Sequence, residues 1–518
     1  MNQTGRARDT AQTVARNTFW YSLEMGVSAL AALLTSIPVA RVIGPKRLGY
    51  FAYIQWLASV SGRLAMVGIP AATRKYMAEY LGRGEAGIAW AIFRRSLRVQ
   101  SYISLAVAAV GTALVWSWVE PSYRVCSLLL VMGVAPRMMA YIPSNANNAA
   151  ENMRANFPGA LLNSVVTVGL VNLSLWAGWG LTGVAASFMA GDTVELAVKM
   201  RMTGRWLKAA PGTALPEELR RRLWRFSVQS LALMSVNMVV WDRSDLVLLK
   251  LLDKDIRQVT FFVLAFNVAE RVLMIPRAFS TMIGISVMAE YGRDRAKLYR
   301  VASGAAKYAL LVSAPVMLGL AAVSSPLIRV LYGVQYLPVI PVLWIGAALA
   351  VAKPLLAPAQ SLMQAEERQG FLIRWSLACA AANVGLDVAL IPVWGARGAM
   401  LANGLAQGMA VTGVWVKATR SFPLVAPVGA VGRILAAGAA MGVPVWLLCR
   451  TPLPAGAQLG LGIPMGAAVY LGMVRALGIL GESDRGPLLR AAARLPGGVR
   501  VWAEGLARRL TGPAGGPE

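Results

Sequence analysis

Apolar blocks about 20 residues long, such as "LLNSVVTVGLVNLSLWAGWG" over 161–180, recur through most of this sequence and are separated by short polar or basic stretches. Twenty residues at 1.5 Å per residue cross the roughly 30 Å hydrocarbon core of a bilayer. A helix satisfies its own backbone hydrogen bonds in that medium, so a chain of such blocks folds as an all-α membrane bundle. Composition agrees: 57% of residues are hydrophobic and 14% charged, against about 25% charged in soluble domains.

Spans are expected at roughly 19–42, 50–72, 99–118, 125–146, 159–179 and 181–200, then 227–252, 259–283, 308–330, 337–360, 372–393 and 396–416, with a last pair at 428–449 and 456–480. That is about fourteen transmembrane helices. The corresponding organisation is a polar N-terminus (1–18), an N-lobe (19–200), a basic loop (201–226), a C-lobe (227–416), two further helices (428–480) and a basic tail (481–518). The first apolar run contains Glu24 and has no small-residue cleavage site close behind it, which reads as an uncleaved span. The tail "PLLRAAARLPGGVRVWAEGLARRL" mixes apolar and basic residues. It fits either an anionic cytoplasmic leaflet or a solvated tail.

The net charge of +27 is carried by loops and not by a soluble domain, which argues against nucleic acid as a partner. Lys and Arg concentrate in "TRKYMAEYLGRGE", "KMRMTGRWLK" and "GRDRAKLYR", while "AGWG", "VEPSYR" and "SSPLIR" are nearly bare, so the positive-inside rule puts both termini in the cytoplasm. "ARVIGPKRLGY", with Arg41, Lys46 and Arg47, is the exception. Histidine is absent and the three cysteines are scattered, so neither a zinc site, a disulfide framework nor a His-dependent triad is supported. No phosphate-binding GxxxxGK[ST] loop occurs, and no cofactor is indicated. The longest internal loop is short and basic, which argues against a membrane-embedded enzyme.

Two segments, "NLSLWAGWGLTGVAAS" (172–187) and "DVALIPVWGARGAMLA" (387–402), share WGxxG at the same distance behind Asn172 and Asp387. The repeat suggests two six-helix lobes related to one another, an arrangement in which transporters place their site near the membrane midplane.

Charges inside the spans stand out against this background. "VVWDRSDLVLLK" places Asp242, Arg243 and Asp245 within one apolar run, where each costs roughly 2.5–3.5 kcal/mol at the bilayer centre. Its Leu and Val residues return only about 4–7 kcal/mol, so that segment must face protein or water unless the span ends near Trp241. Arg63, Arg137, Glu270, Arg271 and Lys353 repeat the theme, with Glu24, Asp192, Glu195 and Asp387 as acidic counterparts. Each fits a helix-end residue or an intramembrane ion pair as well as a ligand contact. As a set they point to a hydrated central cavity.

"ARVIGPKRLGYF" (40–51), "GIPAATRKYMAEYLGRGE" (68–85), "SAPVMLGLAAVSSPLIRVLYGVQY" (313–336) and "AANVGLDVALIPVWGARGAMLANGLAQ" (381–407) resemble the polysaccharide-biosynthesis flippases of the multidrug/oligosaccharidyl-lipid/polysaccharide (MOP) exporter superfamily. The resemblance implies two six-helix lobes plus two C-terminal helices in a V around a central cavity, working by alternating access. It implies a substrate that is a short glycan on a polyprenyl pyrophosphate, moved from the inner to the outer leaflet of the bacterial cytoplasmic membrane. Membrane lipids, and the polymerase and assembly proteins of surface polysaccharide, would be its partners.

By that resemblance Arg41 corresponds to the family's Arg-x-hydrophobic-Gly position closing the first helix, and Asp242 to the acidic residue usual in the seventh. Depth alone adds Arg63, Arg243 and Arg271 as cationic cavity residues. Glu24, Asp245 and Glu270 join Asp242 as ion-coupling or cavity carboxylates. Ile43 and Lys46 depart from the family's "LGPE", and the basic tail lies outside the recognisable region. An ion-coupled drug exporter of the same superfamily and a non-transporting scaffold of a polysaccharide assembly complex are the alternatives.

Overall fold

The computed structural model describes residues 3–207, 214–241, 245–253, 255–290, 295–366, 368–422, 428–493 and 497–511. Every regular element among them is helical. The chain divides into two compact units, Met1–Asp242 and Arg243–Glu518. The first holds α1 (Gln3–Ile43), α2 (Pro45–Ala65), α3 (Ile69–Gly82), α4 (Ala86–Trp118), α5 (Pro121–Met132), α6 (Val134–Ala149), α7 (Phe157–Trp176), α8 (Gly180–Trp206) and α9 (Glu217–Trp241). The second holds α10 (Asp245–Leu252), α11 (Arg257–Glu290), α12 (Arg295–Ala322), α13 (Ser324–Leu331), α14 (Val339–Ala350) and α15 (Leu356–Ala365). It continues with α16 (Gln369–Trp394), α17 (Ala396–Ser421), α18 (Val428–Leu448), α19 (Ala455–Ala476), α20 (Glu482–Ala492) and α21 (Gly497–Leu510).

Helix α4 shows what kind of solvent the fold is made for. It buries Ser96, Gln100 and Ser104, one turn apart on a single face, and exposes Leu105, Val110 and Leu114. A helix in water does the reverse. In lipid, outward aliphatic side chains meet acyl chains at no cost, and small or polar residues do the packing. Trp116, Trp118, Trp176 and Trp179 stand exposed at helix ends, as tryptophans do at a bilayer interface. The protein is a multi-pass membrane protein.

Among the described residues ten helical segments are long and apolar enough to cross a membrane, or eleven if α12 and α13, bent by 67° at Val323, count as one span. The fourteen expected spans are therefore not all matched. Over 50–72 the helix breaks between α2 and α3, where Val67 takes φ 47° and Gly68 φ 69°. The Gln100 amide Nε2 donates to the Ala65 carbonyl freed there, at 3.3 Å. Over 227–252 the structure records α9 and α10, in different units, with 242–244 outside the described residues. Over 396–416 the helix forms as α17, but Ala, Gly, Asn403 and Gln407 replace long aliphatics. It packs against α11, α14, α15 and α16, and residues such as Ala399, Ala402, Asn403 and Gln407 are almost fully buried. Such a helix keeps only a narrow exposed strip, with Leu405 and Val416 on it, and needs little apolar surface of its own.

The WGxxG repeat has the same physical cause in both units. Gly180 (φ 56°) and Gly395 (φ 54°) turn the chain between antiparallel neighbours, in a conformation that Cβ-bearing residues avoid. At the second glycine the helices touch: a Cβ on Gly183 would meet Ser174, and one on Gly398 would run into the Leu390 carbonyl.

Candidate functional site

In the first unit the intramembrane charges close on one another. Arg137 on α6 reaches Asp192 Oδ2 on α8 through Nε at 2.9 Å and Nη2 at 2.7 Å. One turn or more along α8, Lys199 Nζ lies 2.6 Å from Glu195 Oε1, 3.3 Å from Glu24 Oε1 on α1 and 3.1 Å from Ser144 Oγ on α6. Asn163 on α7 donates to Glu195 Oε2, and Thr167 Oγ1, a turn away, donates to Asn163 Oδ1 at 2.9 Å. Spacing of four residues on α7 and on α8 puts each pair on one helix face. This cluster ties α1, α6, α7 and α8 together and neutralises most of its own charge.

The second unit contains a deliberate helix break. Between α14 and α15 a 3-10 turn, Lys353–Leu355, carries Pro354. The break frees backbone carbonyls, and neighbouring helices satisfy them: Ser313 Oγ donates to the Val351 carbonyl at 2.8 Å, Trp415 Nε1 to the Leu355 carbonyl at 2.8 Å, and Ser280 Oγ to the Pro354 carbonyl. Unsatisfied, each would cost several kcal/mol in hydrocarbon. From this turn Lys353 Nζ reaches Glu270 Oε1 on α11 at 3.0 Å, while Arg277, two turns on, meets Glu270 Oε2 at 2.9 Å. Glu270 thus serves two cations. Next to it in sequence, Arg271 has a buried Nη1 with no hydrogen-bond partner among the described residues.

A third cluster has the opposite character. Asp245, the first residue of α10, is fully buried; its Oδ1 accepts from Asn383 Nδ2 at 2.8 Å and its Oδ2 from Asn403 Nδ2 at 3.0 Å. The same Asn383 Nδ2 lies 3.3 Å from Asp387 Oδ2, and Gln407 Nε2 donates to Asn403 Oδ1 at 3.0 Å. Asn383 and Asp387 sit four apart on α16, Asn403 and Gln407 four apart on α17. Asn383 Oδ1 and Asp387 Oδ1 are buried acceptors with no donor among the described residues. Two carboxylates and amide oxygens, with no basic side chain of the described residues bonded to them, make a set of hard oxygen donors suited to a proton or an alkali cation. Among the described residues no group of three or more His, Cys, Asp or Glu forms a transition-metal cage.

The expected site residues are therefore distributed as follows. Asp245 enters the acceptor-rich cluster, Glu24 and Glu270 enter ion pairs, and Arg271 stands beside the Glu270 pair. Arg41 is exposed in the last turn of α1, and Arg63 is half-buried in the last turn of α2, both in the first unit. Asp242 and Arg243 lie outside the described residues. Asn383, Asn403 and Gln407 escaped the charge-based reading. Their signal in the sequence is the i, i+4 spacing of amide and acid in "NVGLD" and "NGLAQ".

A family model described as "Polysaccharide biosynthesis protein" matches residues 14–289. No functionally curated protein matches the chain. Among solved structures, the lipid II flippase MurJ in an inward closed conformation superposes with a TM-score of 0.70 at 15% identity, covering 88% of this chain and 97% of that one. An inward-facing multidrug resistance MATE family transporter of the MOP superfamily gives 0.63 at 13% identity, over 78% of this chain and 98% of that one. A MOP superfamily transporter from Pyrococcus furiosus, described as having a binding pocket of reversed polarity, gives 0.53 at 14% identity, over 79% and 95%. At these identities the likeness is one of fold.

Proposed function

Because the chain belongs to the polysaccharide biosynthesis protein family, we propose that it is a flippase carrying a polyprenyl-pyrophosphate-linked oligosaccharide from the inner to the outer leaflet of the cytoplasmic membrane. Both termini face the cytoplasm in this reading, as the distribution of Lys and Arg favours. The six-helix N-lobe and C-lobe alternate access to a cationic path, and the pyrophosphate, which cannot enter hydrocarbon bare, exchanges its hydration for guanidinium hydrogen bonds. The fold shared with a lipid II flippase supports this assignment. Arg41, Arg63, Arg243 and Arg271 are the proposed anion ligands.

The observation that carries the reading is Arg271. It lies in the apolar segment Arg257–Arg277, where an ionised group is costly, and no carboxylate of the described residues pairs with it, since Glu270 is already shared by Lys353 and Arg277. A cation kept there with no carboxylate partner among the described residues suits an anionic passenger. The Asp245–Asp387 cluster supplies the coupling step: it takes up a proton or alkali cation in one conformation and releases it in the other.

The test is leaflet transfer of a fluorescent polyprenyl-pyrophosphate glycan in liposomes holding this protein alone. A lost charge-assisted hydrogen bond is worth about 1.5–3 kcal/mol, so Arg271→Ala should slow transfer roughly 10- to 150-fold, with Arg271→Lys in between. Wild-type transfer by Arg271→Ala, at an unchanged melting temperature, refutes the role of Arg271. No transfer by the wild-type protein refutes the flippase.

A further inference from the structure

A cavity of about 340 Å³ opens in the second unit, away from the charge clusters above, lined by Asp253, Gln258, Phe261, Trp394, Gly395 and Arg397 among others. Its volume lies at the small end of the roughly 300–1,000 Å³ range of small-molecule sites. The walls come from the end of α10, the starts of α11, α14 and α17 and the end of α16. These are the ends opposite the basic stretches "GRDRAKLYR", which runs into the start of α12, and "KATR" closing α17. With the orientation proposed above, the cavity faces the outside.

The polar groups here are held in place. Gln258 Oε1 accepts from the Ala396 backbone N–H at 3.2 Å, which leaves its Nε2 as a donor. Asp253 Oδ1 accepts from the Asp255 N–H at 2.8 Å. Its other oxygen rests over Gly395, where a Cβ would come within 2.7 Å of Oδ2 and 3.0 Å of the Gln258 amide. Trp394, 53% exposed, and Arg397 complete the rim.

The repeat provides an internal control. In the first unit the corresponding turn has the same Trp179–Gly180 pair, with Trp179 65% exposed and Gly180 at φ 56°. Nothing lies within 4 Å of where a Gly180 Cβ would stand. The turn therefore needs no carboxylate and amide over its glycine, and an interfacial tryptophan needs none either. Asp253 and Gln258 are additions peculiar to the second unit.

An indole face beside a fixed carboxylate, an amide donor and a guanidinium matches a ligand with apolar C–H faces and a ring of hydroxyls. We propose that this cavity is a saccharide-binding site that holds sugar units of the glycan on the outer side after translocation. The proposal rests on the flippase reading for the source of its ligand, but its recognition chemistry stands apart from it.

The experiment titrates a panel of soluble tri- to pentasaccharides, neutral and uronate-containing, into the full-length protein in nanodiscs, read by tryptophan fluorescence and calorimetry. Saturable binding by at least one panel member is expected, weakened about tenfold or more by Trp394→Ala and by Asp253→Asn and unchanged by Trp179→Ala. Because these side chains are not core packing residues, equal melting temperatures check that the variants fold. Absence of saturable binding up to ~10 mM, or equal losses in Trp179→Ala and Trp394→Ala, overturns the inference. The same samples enter the liposome assay: transfer without saccharide binding sinks the cavity alone, and saccharide binding without transfer sinks the flippase alone.

Discussion

Replacing Asp387 by Asn should abolish the cation dependence of this protein's stability. Carboxylate oxygens of Asp245 and Asp387 share one amide nitrogen, at 2.8 and 3.3 Å, so they approach within roughly 6 Å. Two unit charges at that separation repel by about 3 kcal/mol at an effective dielectric constant of 20. Among the described residues no basic side chain pairs with either carboxylate, Lys353 being committed to Glu270, and the buried Asn383 Oδ1 adds a further acceptor. A bound proton or alkali cation does relieve it. The wild-type protein should therefore melt at a higher temperature as pH falls from about 9 to 5, or as Na⁺ replaces a bulky organic cation at constant ionic strength. A site filled to about 100 times its Kd contributes roughly 2.7 kcal/mol. Asp387→Asn keeps the shape, removes one charge, and should give a melting temperature insensitive to both variables. Differential scanning fluorimetry in detergent reads the shift. A wild-type protein indifferent to pH and Na⁺, or an Asp387→Asn variant that retains the wild-type response, refutes the reasoning.

Three further outcomes follow from ion pairs elsewhere. Lys353→Met strips Glu270 of its more buried partner and should lower stability by about 3–5 kcal/mol, with Lys353→Met/Glu270→Gln recovering part of it in a double-mutant melting cycle. Lys199→Met leaves Glu24 and Glu195 facing each other and should be similarly damaging, with partial rescue by Glu195→Gln. On α20, burial pushes the Asp484 carboxyl up, but hydrogen bonds from Lys307, Tyr308 and the Gly481 N–H outweigh it and hold the group below the usual carboxylate range. A depressed folded value stabilises above the unfolded pKa of about 3.9 and loses that contribution as pH falls through the folded one. Docking of α20 and α21 should thus be tight at pH 7 and loosen in strong acid, and Asp484→Asn should weaken it at pH 7 by about 1–3 kcal/mol, seen as faster hydrogen exchange in 482–510.

The sequence made the all-helical membrane bundle legible because lipid imposes a length and an apolarity that show in any 20-residue window. The span expected at 396–416 does form as α17, but it falls short of that apolarity, since a helix packed on α11, α14 and α16 is largely released from the requirement. Buried charges were equally legible, but their partners were not. Glu270 and Lys353 are 83 positions apart, and Asp245 meets Asn383 and Asn403 across 138 and 158. Amides in a Gly- and Ala-rich helix look like ordinary small-residue packing, so only the fold reveals that three of them, Asn383, Asn403 and Gln407, converge with two acids. Arg63 and Arg271 were chosen by depth, and depth does not report which cations are already neutralised.

The low apolarity of α17 also bears on how the chain is made. A segment with this little attraction for acyl chains partitions poorly when a translocon offers it to the bilayer alone. Helix α16, immediately before it, is strongly apolar and packs along it through the Gly398 contact. The two must leave the translocon as a preformed hairpin, so a substitution that widens the α16–α17 approach should be felt first as failed biogenesis, before any transport can be measured.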